Sequence, residues 1–130
     1  MLIFDTSVII AIEKNDKSAI KKISELSKIY RGAPQITFIT YYEFLLGIKN
    51  RSFKNRLRAM DFLNNFNCLS ATKKTAEMLA QLKDKCEGKG VSISLADLII
   101  ASHVKESNAT LLTKDKAFER IEEIDKIILD

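Results

Sequence analysis

Four acidic residues of this chain occupy the same kind of position. Asp5 closes an apolar run in "LIFDTS", Glu43 follows a β-branched stretch in "TYYEFLLG", and Asp115 follows "TLLT" in "LLTKDKAF". Asp97 stands inside the apolar segment "ISLADLIIA". Burying a carboxylate among Leu, Ile and Ala costs several kcal/mol unless something compensates. Four carboxylates gathered without a cation repel one another and partly protonate. A hard divalent ion, Mg²⁺ or Mn²⁺, removes that conflict and accepts phosphate oxygens as further ligands. Such an ion activates water and neutralises charge on a phosphodiester.

Helix capping competes with this reading. Thr40-x-x-Glu43 and Ser94-x-x-Asp97 both fit a capping box. Asp115 is placed to cap a helix from Lys116, and Asp5 to cap the turn through Thr6 and Ser7. Caps work equally well on exposed helices, however, whereas Asp5 and Asp97 have apolar flanks. The two roles are also compatible, because a helix amino end stabilises an ionised carboxylate.

Other chemistries find less support. His103 is the only histidine, which excludes a metal-free nuclease built on paired histidines. It follows Asp97 by six positions, roughly 240° round a helix, and is expected to be structural. No Gly-rich phosphate loop is present. Cys68 and Cys86 lack metal-ligand spacing and a histidine base. They read as small core residues of a protein in a reducing cytosol.

The acids depend on the elements that carry them. Leu2 to Asp5 reads as a buried strand, followed by a turn. Apolar residues at helical spacing (Ile20, Ile23, Leu26, Ile29) give a helix over Ser18 to Tyr30, which Gly32 and Pro34 break. Gln35 to Ile39 reads as a strand, Thr40 to Ile48 as a helix, and Ser52 to Phe66 as an amphipathic helix. On the last of these, Phe53, Leu57, Met60 and Leu63 share a face, and Phe53 and Leu57 are expected to point to the core. Cys68 to Ser70 reads as a strand, Thr72 to Cys86 as a helix ended by "EGKG", and Ser94 to Ser107 as a largely buried helix. Thr110 to Thr113 is a strand, Lys116 to Ile121 a short helix and Lys126 to Leu129 a final strand. Strands that alternate with helices imply a parallel sheet covered on both faces. In such a sheet all carboxyl ends lie on one edge, and ligands bind there at the switch in strand order. If the strands before Asp5 and Asp115 are central neighbours, the two carboxylates share a crevice that Glu43 and Asp97 can reach.

With 130 residues, of which 46% are hydrophobic and 29% charged, the chain reads as one compact domain, 1–130. No apolar run reaches the roughly 18 to 20 residues of a membrane span. The start lacks a basic n-region and has Asp5 in its apolar run, so it does not read as a signal peptide. The expectation is a cytoplasmic protein with no membrane association. The net charge of +4 alone says little about partners.

The stretches "LIFDTSVIIAI", "ITYYEFLLGI", "SLADLIIASHV" and "LLTKDKAFERI", in this order, resemble the PIN-domain ribonuclease family, most closely its small single-domain VapC-type toxins. The resemblance spans almost the whole chain. It implies a three-layer α/β sandwich and Mg²⁺- or Mn²⁺-dependent cleavage of single-stranded RNA. Carried over by position, the catalytic acids are Asp5, Glu43, Asp97 and Asp115, with Asp5, Asp97 and Asp115 as metal ligands and Ser7 and Thr113 as supporting hydroxyls. It also implies a small antitoxin partner. Many relatives carry an extra acid or Asn where this chain has Ala96, so the number of ions stays open, as does oligomeric state, a homodimer included.

"KNRSFKNRLR", from Lys49 to Arg58, holds five basic residues and no acid. It admits three uses: a solvated helix face, a path for an RNA backbone, or a surface for an acidic partner. Lys114 and Lys116 beside Asp115 either contact phosphate or are solvated. The alternatives to a toxin are a PIN nuclease of RNA processing, a non-catalytic RNA- or partner-binding domain, and a receiver-like signalling domain. The last needs paired acids after the first strand and a phosphoacceptor Asp after the third, and "NCLSAT" offers none.

Overall fold

The computed structural model describes residues 1–130. Five strands, β1 (Leu2–Phe4), β2 (Gln35–Thr37), β3 (Asn67–Leu69), β4 (Thr110–Thr113) and β5 (Asp125–Ile128), form one sheet in the order β3-β2-β1-β4-β5. Every pairing is parallel. The first strand is therefore central. The chain runs from β1 outward to β2 and β3, then returns to place β4 and β5 on the other side. The switch in strand order falls between β1 and β4, where Phe4 pairs with Leu112, so Asp5 and Thr113 follow at the same level.

Six α-helices cover the sheet: α1 (Thr6–Glu13), α2 (Lys17–Ser27), α3 (Phe38–Ile48), α4 (Phe53–Leu63), α5 (Lys73–Gly88) and α6 (Leu95–Glu106). A short 3₁₀ helix spans Lys116–Arg120. Side chains alternate across a strand, and the core divides accordingly. Leu2, Phe4, Ile36 and Leu112 pack with residues of α1 to α4. Ile3 and Leu111 pack on the other face with Leu82 and Cys86 of α5, Leu98 and Ile100 of α6, and Phe118. This is the expected three-layer α/β sandwich with helices on both faces.

Several local expectations are corrected. The turn expected after Asp5 is the helix α1. Its run of Val8, Ile9, Ile10 and Ile12 has low intrinsic helix propensity, and an unbroken apolar segment hides its period. Burial of Val8, Ile9 and Ala11 decides the outcome. The strand expected to reach Ile39 ends at Thr37, whose hydroxyl accepts from the Thr40 N–H at 3.3 Å and caps α3. Thr40 is thus inside the helix, so the capping box with Glu43 does not form. The helix expected to run to Tyr30 stops at Ser27, with Asp16 as its cap, and Ile29 is 73% exposed. Cys86 is a core residue as expected, but Cys68 is exposed, because β3 is an edge strand. Phe53 and Leu57 do not face the core: they are 69% and 51% exposed. Only Ala59 and Leu63 of α4 are buried.

Candidate active site

The carboxyl edge of β1 and β4 holds a bonded network centred on Asp5, which is 4% exposed. Asp5 begins α1 and accepts from the Val8 N–H at 3.2 Å and the Ser7 hydroxyl at 2.6 Å, both on Oδ1. Its Oδ2 accepts from the Thr113 hydroxyl. Each hydroxyl is itself fixed by a backbone donor. Lys114 N–H donates to Ser7 Oγ at 2.9 Å, and Asp115 N–H donates to Thr113 Oγ1 at 2.9 Å. Two short relays thus run from the turn after β4 into the two oxygens of one buried carboxylate. The Ser7 and Thr113 hydroxyls, which the resemblance gives as supporting residues, each bond to one oxygen of Asp5.

Asp115 follows β4 on the exposed rim and caps the 3₁₀ helix through the Ala117 N–H at 2.9 Å. Asp97 is half-buried near the start of α6, its N–H held by Ser94 Oγ at 3.2 Å. Glu43 reaches in from α3, and its Oε1 accepts from the Thr6 hydroxyl at 2.6 Å. Asp5, Asp97 and Asp115 all work at helix starts, so the capping and site readings coexist there.

Charge from neighbouring acids reaches Asp5 and Asp97. Burial pushes the Asp5 carboxyl above the usual carboxylate range, against the pull of Ser7, Thr113 and Val8, and Asp115 adds to the rise. Burial also raises Asp97, followed by the charge of Asp115; the Ser94 hydroxyl opposes the rise, Glu43 adds to it and Arg120 opposes it. Negative charge is thus concentrated at one sheet edge with little positive charge to balance it. Lys114, beside Asp115, is engaged with Asp16 at 3.2 Å.

An all-oxygen donor set under mutual repulsion fits a hard divalent cation. No three acids converge into a ready-made cage.

Sequence reasoning missed Thr6 and Asp16. Thr6 reaches Glu43 only because α1 begins directly at Asp5, and that helix was not read. His103 lies away from the acids, buried on α6 with its ring 6.0 Å from that of Phe38.

Fold and edge chemistry together define a PIN domain: the PIN domain family model matches residues 2–124, and the chain belongs to this family. Within the family it is similar to Ribonuclease VapC2 of Rickettsia felis, with 31% identity over 121 residues that cover 90% of this chain and 89% of the relative. The crystal structure of VapBC2 from Rickettsia felis bound to a DNA fragment from their promoter superposes with a TM-score of 0.86 at 28% identity, covering 99% of this chain and 98% of that one. VapBC-1 from nontypeable Haemophilus influenzae gives 0.80 at 26% identity, over 98% and 96%.

Proposed function

We propose that the protein is a divalent-metal-dependent endoribonuclease that cleaves single-stranded RNA, and the toxin of a toxin–antitoxin pair. The observation that carries the reading is the buried, doubly relayed Asp5 at the β1–β4 switch, with the charge of Asp115 bearing on both Asp5 and Asp97 and that of Glu43 on Asp97. The likeness to a relative named a ribonuclease supports it. Asp5, Asp97 and Asp115 are the residues to hold Mg²⁺ or Mn²⁺. When bound, such an ion neutralises phosphodiester charge and lowers the pKa of water. Ser7 and Thr113 keep Asp5 rigid, so its oxygens need no reorganisation when substrate arrives. Glu43 keeps Oε2 available while Thr6 holds Oε1, which suits it to orient water or take its proton. Cleavage of single-stranded RNA by the purified chain in Mn²⁺ tests the reading. Activity that persists in excess chelator, or survives Asp5→Asn, rejects it.

The likeness to VapBC complexes supports an antitoxin partner, and one surface suits it. Leu45, Ile48, Phe53, Leu57 and Met60 line an open groove of about 350 Å³ between α3 and α4, with Lys49 and Arg56 on its rim. Arg56 lies 5.9 Å over the Phe53 ring. Of the five bases from Lys49 to Arg58, only Arg51 has an acidic partner, Glu13. An amphipathic helix with acidic flanks matches both the apolar floor and the unpaired charge. An RNA path fits less well. Leu45, Ile48 and Lys49 lie about 200°, 140° and 240° round α3 from Glu43 at 100° per residue. The groove therefore opens on the side of α3 that faces away from the acids.

A further inference from the structure

Gly47 lies inside α3, where glycine is a poor choice because it orders at a high entropic cost. Nothing in the backbone requires it. The glycines with positive φ are Gly32 and Gly90, and a Cβ added at Gly47 would meet no atom within 4 Å. What lies over Gly47 is a cleft of about 130 Å³ between α1 and α3.

The two helices run side by side in the same sense. At one end Thr6 bonds to Glu43 at 2.6 Å. At the other, Arg51 clamps Glu13 through two hydrogen bonds of 2.7 and 2.8 Å. The cleft occupies the interval, with Glu43 at one end, Lys14 and Arg51 at the other, and Ile10 and Phe44 as its apolar walls. Ile10 is 37% exposed, the one exposed residue of α1.

We propose that this cleft is a subsite for a nucleotide flanking the cut, with the base against Ile10 over Gly47 and the adjoining phosphate held by Lys14 and Arg51. The inference rests on the nuclease reading above. Three features favour RNA as the occupant. The cleft is continuous with the acidic edge through Glu43. Ile10, 37% exposed, offers apolar surface for a base face. Lys14 has no acidic partner, and Arg51 retains guanidinium donors beyond the two given to Glu13. Glycine at this position leaves open a space that a side chain would fill.

Gly47→Leu separates the subsite from the fold, since leucine favours a helix and the added Cβ has room. The expected result is an unchanged or raised Tm, a roughly tenfold higher KM for a single-stranded RNA oligonucleotide in Mn²⁺, and a nearly unchanged kcat. Lys14→Ala should raise KM and reduce the salt dependence of binding. Binding of a fluorescent single-stranded RNA in an Asp97→Asn background reads the subsite without cleavage. Wild-type-like KM and RNA affinity in Gly47→Leu overturn the subsite and leave the nuclease reading intact. Loss of affinity for a co-purified partner protein, with RNA affinity unchanged, reassigns the cleft and also overturns it. RNA that binds in a Gly47-dependent way but is never cut by the wild-type protein refutes the nuclease and keeps the subsite. RNA that is neither bound nor cut refutes both.

Discussion

Thr113 and Asp5 lie 108 positions apart in the chain, yet the hydroxyl of one is bonded to the buried carboxylate of the other across the β4–β1 pair. Thr113→Val keeps the shape of the side chain and removes the donor. A buried acceptor left unsatisfied costs about 1 to 3 kcal/mol, so denaturant titration should show a loss of that size. The Asp5 carboxyl should also rise further, and more Mn²⁺ should be needed for half-maximal cleavage.

Metal should stabilise the folded chain. A ligand that binds only the native state at 100 times its Kd adds about 2.7 kcal/mol. Calorimetry with and without Mn²⁺ should show a higher Tm with the ion in the wild-type protein and a much smaller shift in Asp97→Asn. An equal shift in both would place the ion elsewhere.

The pH dependence has a definite sign. Asp5 and Asp97 carry carboxyls raised above the ordinary value of 3.8, chiefly by burial. Groups whose folded pKa is raised contribute stability below the unfolded pKa and lose it as pH rises through the folded one. Metal-free protein should therefore lose stability as pH climbs from about 3.8 toward neutrality. Asp97→Asn should be at least as stable as wild type at pH 7 in chelator, and the difference should vanish in acid. Cleavage follows the opposite trend and should fall in acid, where protonated carboxyls release the ion.

Ser94 and Asp97 separate folding from chemistry. Ser94→Ala removes the acceptor for the Asp97 N–H and should cost about 0.5 to 2 kcal/mol while most activity remains. Asp97→Asn should abolish cleavage and leave the fold. If Asp97→Asn instead unfolds the protein in chelator, Asp97 is a structural cap and not a ligand.

The groove between α3 and α4 should be needed for the partner and not for RNA. Leu57→Glu puts a like charge against an acidic-flanked helix at a site already 51% exposed, so the fold should hold. Co-expression with the proposed antitoxin should then yield the chain free of it, with RNA cleavage by the isolated chain unchanged.

The main architecture was legible because it depends on patterns that repeat. Alternating elements point to the parallel sheet, and acids recurring after strands point to its carboxyl edge. Contacts between elements far apart in sequence were less legible. A short apolar run such as "SVIIAI" satisfies strand and helix equally, so α1 was missed, and with it Thr6 on Glu43. Thr37 and Thr40 are both good caps, and only the end of the β2–β3 pairing selects Thr37. The 3.6-residue period placed Phe53 and Leu57 on the same face as Met60 and Leu63, but it cannot say how far the core extends beneath that face. It ends at Ala59 and Leu63.

The central position of β1 also bears on synthesis. Its neighbour β4 is made more than a hundred residues later, so Asp5 is synthesised long before the segment whose hydroxyl and backbone complete its hydrogen bonding. Contacts of such long sequence separation form late and slowly. A nascent or prematurely terminated chain that stops before Thr113 lacks both relays into Asp5, so a cell making this protein meets the assembled site only after β4 and the turn behind it have been made.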